Sequence, residues 1–139
     1  MTMDMHDWEE HDAWETKVWG SVMHVFKSDE VAISVLRVNK GFRCSRHLHE
    51  LRRNQFDVIS GKIEVWEWTD ERDIRQNPLR PMIRSLMIAG DRIRVGSGRP
   101  HLFRVLESGI VVEIYSADKG HVSIDDIVRF DEGGKDELS

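Results

Sequence analysis

The chain has a single cysteine, Cys44, so no disulfide can form within it, which fits a reducing compartment. It has no apolar run near the roughly 20 residues that cross a bilayer, so no membrane partner is expected. It has no basic surplus either. Twenty Lys and Arg stand against 25 Asp and Glu, and the net charge of −5 gives no overall pull toward nucleic acid. The first ten residues are acidic and lack an apolar stretch behind a basic region, so no secretory signal is read and the expected location is the cytoplasm. Lys135 to Ser139 ends one residue past an endoplasmic-reticulum retrieval sequence, a likeness taken as chance. From Val18 onward the apolar spacing of an amphipathic helix is also scarce.

What remains is an ordinary soluble composition, 40% hydrophobic and 32% charged, in 139 residues, enough for one domain with a core and too few for two. Short β-branched or aromatic runs alternate with glycine turns, predicting an all-β domain of the sandwich or jelly-roll kind. The expected strands are Val18–Phe26, Val31–Val38, Phe56–Ser60, Lys62–Trp68, Met82–Ala89, Arg92–Val95, Pro100–Leu106 and Ile110–Ala117. The polar segment Thr69–Pro81 is long for a connection and reads as a loop or a lid. The expected organisation is an N-terminal extension over 1–17, a barrel over 18–123 and a C-terminal tail over 124–139, with a short element at Ile124, Ile127, Val128 and Phe130 before the end frays. In the extension, Trp8 and Trp14 can pack on the barrel or on a neighbouring subunit, and His6 and His11 can bind metal loosely.

His47 and His49 lie two residues apart, a spacing that in an extended strand sends both imidazoles to one face, where they can share an ion. His101 comes much later, so only a fold that joins distant strands can add it as a third ligand. Two or three neutral imidazoles with open positions suit Zn, Mn, Fe, Ni or Co. Arginines gather in the same region, at Arg43, Arg46, Arg52, Arg53, Arg92, Arg94, Arg99 and Arg104, and either favour an anionic ligand or serve as solvated strand positions.

The glycine pattern around these histidines carries a family resemblance. Gly41, five residues, His47-Leu48-His49 and a closing Gly61 resemble the first cupin motif. Gly90, five residues, Gly96, Gly98 and His101 resemble the second. The resemblance implies the cupin double-stranded β-helix, a jelly-roll barrel, with one divalent metal ion on His47, His49 and His101. Two positions depart from the pattern: the usual ligand glutamate falls at Asn54, and the usual proline of the second motif is Gly96. Asn54 can ligate through its amide oxygen, but more weakly than a carboxylate would. Glu50 and Gln55 are near, yet Gln55 belongs to the opposite strand face from Asn54.

Val18-Trp19-Gly20 and Asp125 to Phe130 are similar to flanking features of mannose-6-phosphate isomerase-like cupins, including those fused to sugar nucleotidyltransferases. That likeness implies a sugar or sugar-phosphate isomerase or epimerase in which the metal polarises a carbonyl while an acid or base moves a proton. Glu113, within an apolar run, is then the proton shuttle, with Tyr115 on the same face. Arg46, Arg53 and Arg104 are the expected partners of a phosphate or carboxylate. Two other readings stand beside it: a three-histidine Fe(II) dioxygenase, and a non-catalytic barrel that binds a carbohydrate or anion. Trp66 and Trp68 share a face and either stack on a sugar or bury a sheet face or interface. The resemblance also implies a homodimer.

Overall fold

The computed structural model describes residues 14–118, 120–123 and 125–138, so His6, His11 and Trp8 lie outside the described residues. In chain order the elements are β1 (Trp14–Lys17), β2 (Gly20–Lys27), β3 (Val31–Val38), β4 (Phe42–Arg43), β5 (His47–Leu48), β6 (Arg52–Val58), β7 (Lys62–Glu67), α1 (Glu71–Gln76), β8 (Ile83–Ile88), β9 (Arg92–Val95), β10 (His101–Glu107), β11 (Gly109–Ala117), β12 (Val128–Arg129) and β13 (Gly134–Lys135). They build two antiparallel sheets. One runs β1-β2-β3-β11-β6-β9; the other runs β12-β5-β10-β4-β13, with β7 also on β10 and β8 on β7. This is the expected all-β jelly-roll architecture.

Alternation along the strands supplies the interior. Leu36 and Val38 of β3, Phe56 and Val58 of β6 and Val111 of β11 point inward from the first sheet, and Ile63, Val65, Phe103 and Val105 from the second, all at most 5% exposed. Phe56 and Phe103 meet edge to face across the gap, with centroids 6.1 Å apart. The apolar pattern gives way on β6 and β11, where Arg52, Asn54 and Glu113 occupy inward positions and are buried. That polar end of the barrel holds the histidines.

The outer face of the second sheet is covered as well. Trp66 pairs with Leu102, on the opposite face from Val65 and Phe103, and Trp66, Trp68 and Leu102 are fully buried. The segment expected as a loop or lid lies over this face. It carries α1, capped by the Asp70 carboxylate accepting from the Asp73 amide at 2.8 Å, and it buries Ile74. The Trp68 indole donates to the Asn77 carbonyl at 2.7 Å. Of the two readings of the tryptophan pair, burial of a sheet face is the one observed. At about 25 cal/mol per Å² and roughly 200 Å² per ring, each contributes on the order of 5 kcal/mol before entropy.

The expected strand Val18–Phe26 is a hairpin in which Val18 and Trp19 form the turn between β1 and β2, and Trp19 packs edge to face on Phe103 at 5.2 Å. The expected strand Phe56–Ser60 begins four residues earlier, at Arg52, and stops at Val58. Its first half, Arg52-Arg53-Asn54-Gln55, has no apolar alternation because its inward side chains serve a polar interior. Towards the C-terminus, β12 pairs with β5 and β13 with β4. Gly61 closes the β6–β7 turn at φ +82°, and a Cβ there would come within 2.7 Å of the Glu107 and Ser108 carbonyl oxygens.

Candidate metal centre

His47 lies on β5, His49 just beyond it, and His101 opens β10. The register sets His101 directly opposite His47 on one side and Glu67 on the other, and sets His47 opposite Arg129 of β12. Directly opposed residues share a face, so Glu67, His101, His47 and Arg129 form one row across four strands. His47, His49 and His101 are 8%, 3% and 1% exposed, and one ring nitrogen from each lies within 4.8 Å of the others.

Each imidazole is oriented by a backbone carbonyl. Nδ1 of His47 meets Ser45 O at 2.7 Å, Nδ1 of His49 meets Asp126 O at 2.6 Å, and Nδ1 of His101 meets Arg99 O at 2.9 Å. A carbonyl only accepts, so each Nδ1 carries the proton and each Nε2 presents a lone pair. Ordinary metal sites orient their histidines in this way. Burial, reinforced by repulsion within the group, holds His47 well below the usual histidine range; burial brings His49 down to about 3 and His101 to about 4. The rings are therefore neutral at neutral pH, the form a metal requires.

Two buried side-chain atoms here have no hydrogen-bond partner among the described residues, His49 Nε2 and Asn54 Oδ1. Such an orphan costs on the order of 1–3 kcal/mol, which a ligand shared by both would offset. Three nitrogens each about 2.1 Å from one ion lie at most about 3.6 Å from one another, so the rings, now within 4.8 Å, need close by only roughly an ångström. The donor set thus fits a divalent transition ion.

Asn54 faces the histidines, as the strand parity requires, with Nδ2 3.4 Å from His101 Nε2, and it donates to Glu113 Oε2 at 3.1 Å. Gln55 faces away and binds Arg94 and Asp57, while Glu50 is exposed. The Tyr115 hydroxyl donates to Glu113 Oε1 in a very short bond, and the Arg52 guanidinium stacks 3.8 Å above the Tyr115 ring. Burial raises Glu113 to about 7, against the opposing pull of the Tyr115 hydrogen bond and Arg52. Burial and the neighbouring Glu113 push Tyr115 well above the phenol range.

The three arginines expected at the ligand are not brought together there. Arg46 is held by the Asp131 carboxylate and the Pro78 carbonyl. Arg104 binds Asp136 at 2.7 Å and Glu64 at 3.6 Å on the outer face of its sheet. Arg53 is exposed and lines a surface hollow of about 350 Å³ with Gln55, Arg94 and Ser116. The buried arginine beside the histidines is Arg52, one residue earlier. Asp126 was also not singled out. Besides its carbonyl on His49, its carboxylate accepts from the Glu50 and Leu51 amides at 2.8 and 2.9 Å, pinning the chain just after His49. No local pattern marks it, because its partners lie more than 70 residues away.

No family model matches the sequence, and no curated protein matches it. Solved structures do. KdgF from Halomonas sp. superposes with a TM-score of 0.64 at 18% identity, over 80% of this chain and 92% of that one. An RmlC-like cupin from Shewanella frigidimarina gives 0.63 at 15%, over 80% and 87%. Oxalate decarboxylase from Bacillus subtilis gives 0.68 at 20%, over 84% of this chain and 29% of its own. At these identities the likeness shows the fold alone, a double-stranded β-helix.

Proposed function

We propose that this cupin barrel holds one divalent metal ion on His47, His49 and His101, with Asn54 as an auxiliary ligand, and moves a proton next to the carbonyl of a small ligand as an isomerase or epimerase. The observation carrying the metal reading is the set of three buried imidazoles whose Nδ1 atoms all donate to carbonyls. The proton-transfer reading is supported by Glu113. With its acid strength moved to about 7, the carboxyl can both take and return a proton near neutral pH. Tyr115 and Asn54 hold its two oxygens, and burial keeps water from competing for the proton. When bound, the metal supplies Lewis-acid polarisation of the carbonyl. The sugar or sugar-phosphate class is supported by the sequence resemblance of the flanking segments.

The test is solvent-deuterium incorporation and product formation from aldoses, ketoses and their phosphates by metal-loaded protein. Conversion with label beside the carbonyl is expected, falling about 100-fold or more in Glu113→Gln. No conversion and no label, or equal rates in the variant, would overturn it. A donor set of imidazoles without a carboxylate also favours a three-histidine Fe(II) dioxygenase; oxygen uptake matched to turnover and indifferent to Glu113→Gln would support that instead. Leu86 and Ile88, exposed on the edge strand β8, support the expected homodimer, which sedimentation would check.

A further inference from the structure

Three imidazoles and an amide carry no negative charge, so a divalent ion held by them keeps both of its positive charges inside the barrel. Burying an uncompensated dication is costly, and an anionic ligand supplies compensation that the donor set itself lacks. The surroundings point the same way although the chain as a whole is acidic. Arg52 approaches from β6, is 5% exposed, and donates from Nη1 to the Ser123 carbonyl at 2.9 Å, while its buried Nε has no hydrogen-bond partner among the described residues. Arg129 approaches from β12, in the cross-strand row beside His47. Its side chain is exposed and makes no hydrogen bond or ion pair with a described residue. The positive charge of Arg129 bears on both His47 and His49, and that of Arg52 on His49 and His101. Against these two cations stand two buried carboxylates: Glu113, already bonded to Tyr115 and Asn54, and Glu67, opposite His101 and paired with Arg99 at 3.4 Å.

Resting on the metal reading above, we infer that Arg129, with Arg52, forms an oxyanion subsite at the mouth of the barrel, and that the ligand carries a carboxylate or phosphate which Arg129 grips while its other end reaches the metal. Arg129 suits the task because an exposed guanidinium stays charged, presents a fork of donors and has no partner among the described residues to give up. Arg52 lines the inner wall, where its stacking on Tyr115 fixes its position. The subsite belongs to β12, so the C-terminal segment contributes to recognition as well as holding His49.

The experiment uses full-length protein loaded with Co(II), whose visible spectrum reports ligands entering its coordination sphere. Malonate, inorganic phosphate and neutral imidazole are titrated into wild type, Arg129→Gln and Arg129→Lys. Arg129→Gln is expected to raise the Kd of malonate or phosphate about tenfold or more, while Co(II) uptake and the imidazole Kd stay within about twofold and the lysine variant falls between. The anion more affected identifies the headgroup as carboxylate or phosphate. Equal anion affinities in wild type and Arg129→Gln, or an equal loss for imidazole, would overturn the subsite alone. Failure of wild type to take up Co(II) would overturn the metal reading and this inference with it.

Discussion

Acidifying the metal-free protein from pH 8 to pH 5 tests whether the three imidazoles are held neutral by burial. An unfolded histidine takes a proton near its ordinary value of 6.5, whereas His49 and His101 in the fold wait until about 3 and about 4. Their contribution to stability is therefore complete above pH 6.5 and is lost as pH falls toward those folded values. By pH 5 the loss is about 2 kcal/mol for each, or about 4 together, and His47, lowered for the same reason, adds to it. Glu113 runs the other way. Its folded value of about 7 lies above the ordinary 4.5, so its contribution is complete below 4.5 and lost as pH rises through 7. Falling from pH 8 to pH 5 then returns about 2–3 kcal/mol. Wild type should lose about 1–2 kcal/mol plus the His47 share, and Glu113→Gln about 4 plus the same share. Urea unfolding in chelator at pH 8, 6.5 and 5, followed by tryptophan fluorescence, measures both. A Glu113→Gln protein whose stability is flat or rises over this range would refute the reasoning.

Other substitutions separate positioning from packing. Asp126→Ala removes the carboxylate that holds the Glu50 and Leu51 amides and should lower Co(II) affinity about tenfold while costing about 2 kcal/mol in urea unfolding. Arg46→Ala, which breaks the contact with Asp131, should cost about 2 kcal/mol and leave Co(II) uptake unchanged. Gly61→Ala forces a Cβ against two carbonyl oxygens at positive φ and should cost about 2–4 kcal/mol by the same unfolding assay.

The histidines were legible because their signals are local: parity for His47 and His49, and spaced glycines around all three. Strands β3 and β9, both apolar and alternating, match their expected bounds. Strand parity separates the arginines of β6. Arg53 shares the face of Gln55 and is exposed, whereas Arg52 shares the face of Asn54 and points inward, so the alternation that places Asn54 beside the histidines places Arg52 there as well. The ion pairs of Arg46 and Arg104 were not legible, since their partners Asp131 and Asp136 sit on a C-terminal segment whose return to β4 and β5 leaves no periodic trace. Asp126 and Arg129 lie on that same segment.

The central claim is that His47, His49 and His101 together hold a divalent ion. Metal content after dialysis against Co(II) and removal of the excess, in wild type and His101→Ala, tests it most directly. The account predicts one ion per wild-type chain and its loss from a variant whose far-ultraviolet circular dichroism is unchanged. A wild-type chain with no retained ion, or a folded variant that retains as much as wild type, would contradict it.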